Sequence, residues 1–184
     1  HEGLLNMTML ALRFSRYANC VALQHGTVSR EMFPEFPIDS ITNGVHAPTW
    51  VSEPVQQMLD QHIPAWRRDN LYLRNAIDLP IEAIGTAHAR AKDALLAEVG
   101  ARTGVMLNPR LLTLGFARRV ATYKRANLLF SDPERLLRIA EQAGGLQILY
   151  AGKAHPQDEP GKALIREVVG RSSQFSGSKL QVVY

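Results

Sequence analysis

Apolar side chains along this chain recur first with the period of helices and then, from about residue 110, as short continuous runs. In "LLNMTMLALRFSRYANCVALQ" (4–24) the apolar positions are Leu4, Met7, Leu10, Ala11, Phe14, Ala18, Val21 and Ala22, with Arg13, Arg16 and Gln24 off the stripe. Steps of three and four residues predict an amphipathic helix there. The following stretch, "HGTVSREMFPEFPIDSITNGVHAPTW" (25–50), breaks the period with prolines and glycines. It reads as a loop-rich crossing segment with a short strand near Ile38–Thr42. "VSEPVQQMLDQH" predicts a short helix with Ser52 at its N-cap and Pro54 in its first turn. "DLPIEAIGTAHARAKDALLAEVGARTG" predicts the clearest helix, with Ile81, Ile84, His88, Ala91, Leu95 and Val99 on one stripe and Gly100 or Gly104 at its end. His88 on that stripe is expected to be packed.

Beyond residue 110 the runs "RLLTLGF" (110–116), "LQILYAG" (146–152) and "KLQVVY" (179–184) are apolar without alternation, as in strands covered on both faces. Helical spacing separates them. "YKRANLLFSDPERLLRIAEQAGG" carries a break and a fresh start at Ser131 or Asp132 before Pro133, and "GKALIREVVG" follows the second run. Strand–helix–strand–helix–strand predicts an α/β fold with a parallel sheet, helices on both faces and right-handed crossovers. The chain opens on His1 and closes on an apolar, strand-like segment, so it is read as an internal piece of something longer.

Composition changes this picture little. At 184 residues, 46% apolar and 21% charged, the chain can bury a sizeable core. A net charge of +4 leans towards an anionic ligand, yet the charges are scattered and make no basic tail, which disfavours nucleic acid. Cys20 is the only cysteine, so there is no disulfide framework, and it is expected to be a buried, inert thiol. No apolar run is long enough to cross a membrane, so no membrane partner is expected, and a reducing cytoplasm is the default compartment. Asn6-Met7-Thr8 matches a glycosylation acceptor, which matters only in a secreted protein.

The densest chemistry lies in "GFARRVATYKRANLLF" (115–130), where Arg118, Arg119, Lys124 and Arg125 stand between apolar flanks. Open parallel sheets bind ligands beyond the carboxyl ends of their strands, which is where Arg118 and Arg119 fall. Lys124 is placed at the start of the following helix, where free N–H groups also favour anions. Arginine forks two phosphate oxygens and lysine supplies a point charge, so the set suits a phosphate. A solvated basic turn is the other reading. There is no G-x-G-x-x-G and no Walker spacing around Gly152-Lys153. Lys153 and His155 of "AGKAHP" fall on the same ligand edge, or simply face solvent. In "SITNGVHAPTW" (40–50) Asn43 and His46 could hydrogen-bond sugar hydroxyls, or form a plain turn at Asn43-Gly44. The histidines show no metal-ligand spacing, so no metal is assigned, and His25 is read as a satisfied structural histidine.

In order along the chain, "NMTMLALRFSRYANCVALQHGTVSREMF", "ITNGVHAPTW", "GFARRVATYKRANLLF" and "ILYAGKAHPQDEPGK" resemble the α-glucan phosphorylases, in their short, bacterial-type branch. The match is weakest over 52–108. The resemblance implies a GT-B glycosyltransferase with its active site between two Rossmann-like domains. Residues 1–47 would end the N-terminal domain and make the crossing, and 48–184 would begin the C-terminal one. It implies phosphorolysis of an α-1,4-glucan by inorganic phosphate, with retention and release of glucose 1-phosphate, assisted by the phosphate of pyridoxal 5'-phosphate. By motif position Arg119 and Lys124 match the family's catalytic phosphate-site cations. Arg118 matches a basic residue near the cofactor phosphate, and Asn43 matches the asparagine on the sugar at the cleavage subsite, with His46 beside it as a substrate contact. Lys153 and His155 match a family motif without an assigned role.

The lysine that carries the cofactor is expected downstream of Tyr184, so the chain alone is expected neither to hold the cofactor covalently nor to catalyse the reaction. A homo-oligomer is left open. The rival readings are a nucleotide-sugar glucosyltransferase of the glycogen or starch synthase type, and a non-catalytic carbohydrate- or anion-binding relative.

Overall fold

A computed structural model of the chain describes residues 5–175 and 177–184. His1 and Leu4, which open the first sequence pattern, lie outside the described residues. Two compact units are present: one holds the chain up to Val51 together with Ala65–Leu71, the other Ser52–Pro64 together with Tyr72–Tyr184.

The first unit departs from the single helix expected over 4–24. Helix α1 (Met7–Phe14) stops at Ser15, whose N–H bonds to the Leu12 carbonyl and whose hydroxyl bonds to the Ala11 carbonyl. Strand β1 (Ala18–Cys20) and helix α2 (Leu23–Met32) follow. The apolar spacing ran through the break because a three-residue strand leaves too few positions to reveal its own period. At the start of α1 the Asn6 side chain caps the helix, accepting from the N–H groups of Thr8 and Met9 at 3.0 and 3.1 Å.

Strand β2 (Ile38–Ser40), foreseen near Ile38, pairs in parallel with β1, Cys20 standing opposite Ser40. The loop-rich reading of 25–50 missed most of α2. Its Gly26, taken as a breaker, is instead a packing device, since a Cβ there would lie 1.8 Å from Ser40 Oγ. Cys20 is buried as expected, its Sγ 3.1 Å from the Ser29 hydroxyl. His25 is exposed on α2 and makes no side-chain hydrogen bond among the described residues, against the structural role expected of it. The short helix α3 (Ala47–Trp50) follows a stretch over 41–46 without a turn or bend, so the plain turn read at Asn43-Gly44 does not form.

In the second unit, α4 (Glu53–His62) and α5 (Ile81–Thr103) form where the pattern placed them and pack together, with a 3₁₀ run over Asn70–Asp78 between them. Gly104, left-handed at φ 73°, ends α5. The buried face of α5 carries Ala87 and Leu96, while Ile81, Ile84 and His88 are exposed. The packed role expected of His88 is therefore wrong by one position around the helix.

Strands β3 (Leu112–Ala117), β4 (Leu146–Ala151) and β5 (Leu180–Val183) make a parallel sheet in that order, with Ala117 opposite Ala151 and Ile148 opposite Val182. Helices α6 (Pro133–Gln142) and α7 (Glu159–Gln174) are the connections. The fold is thus α/β with parallel sheets, as the pattern of runs predicted.

Central β4 explains the absence of alternation. Leu146, Ile148 and Tyr150 face a core with Leu136, Ala140, Val168 and Phe175, and Leu149 faces a second cluster with Leu96 and Leu107. A residue such as Ile148, fully buried, contributes about 1.5–3 kcal/mol relative to exposure. Gln147, buried in the same strand, is fully partnered. Its amide donates to the Asn108 carbonyl and the Thr113 hydroxyl at 3.0 and 2.9 Å, and its oxygen accepts from Asn108 N–H at 2.6 Å.

Candidate functional site

The basic segment begins where β3 ends. Arg118 N–H still bonds to the Ala151 carbonyl at 3.2 Å, and Val120 N–H to the Lys153 carbonyl at 3.0 Å, so hydrogen bonding between the two segments continues past the ends of both strands, as far as Val120 and Lys153. This sets Arg118–Val120 beside Gly152-Lys153 at the carboxyl edge of the sheet, where parallel α/β sheets bind ligands. The close approach depends on two glycines. A Cβ on Gly152, whose φ is 156°, would lie 2.0 Å from the Arg118 carbonyl oxygen, and one on Gly161, in the first turn of α7, would lie 2.7 Å from that of Val120.

The interleaving of cations and apolar residues follows from how the segment is pinned. Val120, Ala126 and Phe130 are buried at 3, 3 and 2% exposure, while Arg118 and Arg119 just before them and Arg125 among them are exposed and Lys124 is half-buried. The helical stretch expected from Lys124 up to the break at Ser131 or Asp132 does not form. Two 3₁₀ turns, Thr122–Lys124 and Leu128–Phe130, take its place, and α6 begins at Pro133, where the fresh start was expected. Arg125 closes the first turn in the left-handed region at φ 53°, an αL position among non-glycine residues that stops any helix. The helix-dipole contribution expected at Lys124 is therefore absent. What remains is charge. Lys124 Nζ lies 4.7 Å from the Tyr123 ring centroid, a cation–π contact. Among the described residues none of Arg118, Arg119, Lys124, Arg125 or Lys153 forms a salt bridge.

Beneath this loop stands Tyr150, buried on β4, whose hydroxyl donates to the Ala126 carbonyl at 2.9 Å. Burial pushes its phenol up to about 12, so it remains a donor. Phe116 and Phe130 flank it at centroid distances of 5.4 and 5.8 Å, and Tyr184 stacks at 6.3 Å, its own hydroxyl donating to the Gly152 carbonyl at 3.1 Å. A second tie runs from the Asn127 amide to Glu167 of α7 at 3.0 Å. Sequence reasoning missed Tyr150, Gly152 and Gly161. A tyrosine inside an otherwise aliphatic strand was the one available signal for the first, since a buried phenol needs a partner.

His155 is exposed in the turn that leads to α7. Its Nδ1 accepts from Gln157 N–H at 3.2 Å, and Asp158, three residues on, caps the helix through Gly161 N–H at 2.9 Å. Asn43 and His46 belong to the first unit, the basic loop to the second. Asn43 N–H bonds to the Val21 carbonyl at 3.1 Å, extending the β1–β2 ladder, and its side chain is exposed with nothing packed on neighbouring Gly44. His46 is exposed too, and its Nδ1 shares a hydrogen bond with the Thr49 hydroxyl at 2.7 Å, which leaves Nε2 as the ring nitrogen able to meet a ligand. The described residues contain no group of three or more His, Cys, Asp or Glu placed to hold a metal ion, and no helix long and apolar enough to cross a membrane.

No protein-family model matches the chain. Curated proteins do. It is 34% identical to a glycogen phosphorylase of Aquifex aeolicus over 96% of its own length and 30% of that protein. It is 35% identical to a maltodextrin phosphorylase of Thermococcus litoralis over 89% of its length and 23% of that protein. It is 40% identical to a glycogen phosphorylase of Mycobacterium tuberculosis over 89% of its length and 22% of that protein. The chain thus spans between about a fifth and a third of the length of these relatives, as a fragment would.

Proposed function

From its kinship with glycogen and maltodextrin phosphorylases along most of its length, we propose that the chain is the segment of an α-glucan phosphorylase that supplies the phosphate-binding loop. The enzyme is a GT-B glycosyltransferase that cleaves the terminal α-1,4 linkage of a glucan with inorganic phosphate and releases glucose 1-phosphate with retention. Residues 1–47 belong to its N-terminal domain and the crossing, and 48–184 to its C-terminal one. The observation that carries this reading is the pinned loop: cations held at the carboxyl edge of a parallel sheet by buried neighbours, with no salt bridge to a carboxylate among the described residues.

Arg119 and Lys124 bind the attacking phosphate. Fixed before substrate arrives, they stabilise negative charge without reorganising as the glycosidic bond breaks. The phosphate passes its proton to the glycosidic oxygen, and a phosphate oxygen then bonds the anomeric carbon. Asn43 and His46 hydrogen-bond sugar hydroxyls. The donor set also fits the phosphate end of pyridoxal 5'-phosphate, because exposed, unneutralised guanidinium groups match a dianion; Arg118 would hold it. When bound, the cofactor supplies a phosphate that can give and take a proton, and its covalent lysine lies outside this chain. Two adjacent phosphates repel each other, so clustered cations are the chemistry such a site requires.

In the full-length protein, phosphate-dependent release of glucose 1-phosphate from maltodextrin is expected, and Arg119→Glu or Lys124→Glu should lower it at least a hundredfold, as for lost transition-state charge stabilisation. Unchanged phosphate-dependent turnover in both variants would show the assignment to be wrong.

A further inference from the structure

Nothing in the loop's own sequence fixes the height of Lys124 above the sheet. Thr122–Lys124 is a single 3₁₀ turn, and the next residue, Arg125, occupies a left-handed conformation that costs energy for a side chain with a Cβ. Such a conformer persists where its surroundings hold it. The residue directly after it is Ala126, buried, and its carbonyl takes the Tyr150 hydroxyl at 2.9 Å. Tyr150 cannot shift easily, because it stands in central β4 between Phe116, Phe130 and Tyr184. From Tyr150 the same strand runs on to Gly152 and Lys153, whose carbonyl receives Val120 N–H at the other end of the loop.

We propose that Tyr150 is a positioning residue for the anion site. Its hydroxyl clamps the Ala126 carbonyl, holds Arg125 in its left-handed turn and so sets Lys124, two residues upstream, at the depth where it meets phosphate. The inference rests on the phosphorylase reading of the loop. The Asn127–Glu167 bond ties the loop sideways to α7 and controls its lateral position, whereas the Tyr150 bond reaches it from the sheet.

The test is Tyr150→Phe in the full-length protein, which keeps the ring packing and deletes one hydroxyl. Loss of a hydrogen bond of ordinary net strength corresponds to roughly a fivefold effect. The KM for phosphate is expected to rise roughly fivefold, with the KM for glucan within about twofold of wild type, because only the anion-binding loop moves. A purely structural role would lower the thermal midpoint and the active fraction, and leave both KM values alone; that outcome overturns the proposal. Lys124→Ala is measured beside it. If Lys124→Ala raises the phosphate KM and Tyr150→Phe does not, the positioning inference fails while the phosphate site stands. If neither variant moves it, the phosphate reading itself fails.

Discussion

At the scale of single residues, the carboxyl edge of the sheet is shaped by what is missing as much as by what is present. Gly152 has no Cβ, and the Arg118 carbonyl occupies the space one would need, 2.0 Å away. Its φ of 156° is also one that side-chain-bearing residues rarely adopt. Gly152→Ala should therefore destabilise the protein by about 2–4 kcal/mol, adding backbone strain to overpacking, as read from urea unfolding. Because the obstructing atom is backbone, relief requires Arg118 to move. Sequence alone showed the cations of this edge and their place after a strand, since an apolar run followed by arginines is visible in any window. It could not show the clearance at Gly152 or the left-handed turn at Arg125. The first is set by the Arg118 carbonyl, which reaches Gly152 from the end of β3, and the second lies one residue before Ala126, whose carbonyl accepts from Tyr150 of β4.

Among the elements, those fixed by local chemistry were readable and those fixed by pairing were not. Helix α6 begins at Pro133 because Asp132 caps it, its carboxylate accepting from Arg135 N–H at 3.0 Å, and the Asp-Pro pair announces this in the sequence. Asp132→Ala is expected to cost about 1 kcal/mol in unfolding free energy, with the chain around Pro133 exchanging its amide hydrogens faster. An unchanged exchange rate there would mean the capping bond contributes nothing. The three strands of the sheet were equally legible as apolar runs, but only central β4 is buried from Leu146 to Tyr150 as such a run implies. Edge strand β3 is exposed or half-buried throughout, and so is β5 beyond Leu180. By contrast β1 owes its existence to β2, some twenty residues away, and α2 to the docking of Gly26 against Ser40. No window centred on residues 4–24 contains either partner. The 3₁₀ turns that replaced the expected helix after Tyr123 fail for a related reason: the spacing there is helical, but burial of Val120, Ala126 and Phe130 on one core dictates a different path.

For the molecule as a whole, the net charge of +4 says little, but its placement says more. Some other cations of the second unit sit beside carboxylates one helical turn away, as Arg102 does with Glu98, Lys162 with Glu159 and Arg171 with Glu167. Such exposed pairs stabilise weakly, yet they neutralise. Among the described residues the cations of the basic loop form no such pair, so folding gathers mutually repelling charges at one edge. A bound dianion would remove that repulsion in the folded state and has no comparable site in the unfolded one. Phosphate should therefore raise the unfolding midpoint of the chain above its value in chloride at equal ionic strength. At a hundredfold excess over Kd, the gain amounts to about 2.7 kcal/mol. Matching ionic strength matters, because general screening would relieve repulsion among exposed charges in either salt. Arg119→Glu supplies the missing negative charge in place and should abolish the difference between the two salts. If that variant responded to phosphate as the wild type does, the anion would be binding elsewhere, and the unpaired cations would be no more than a solvated turn.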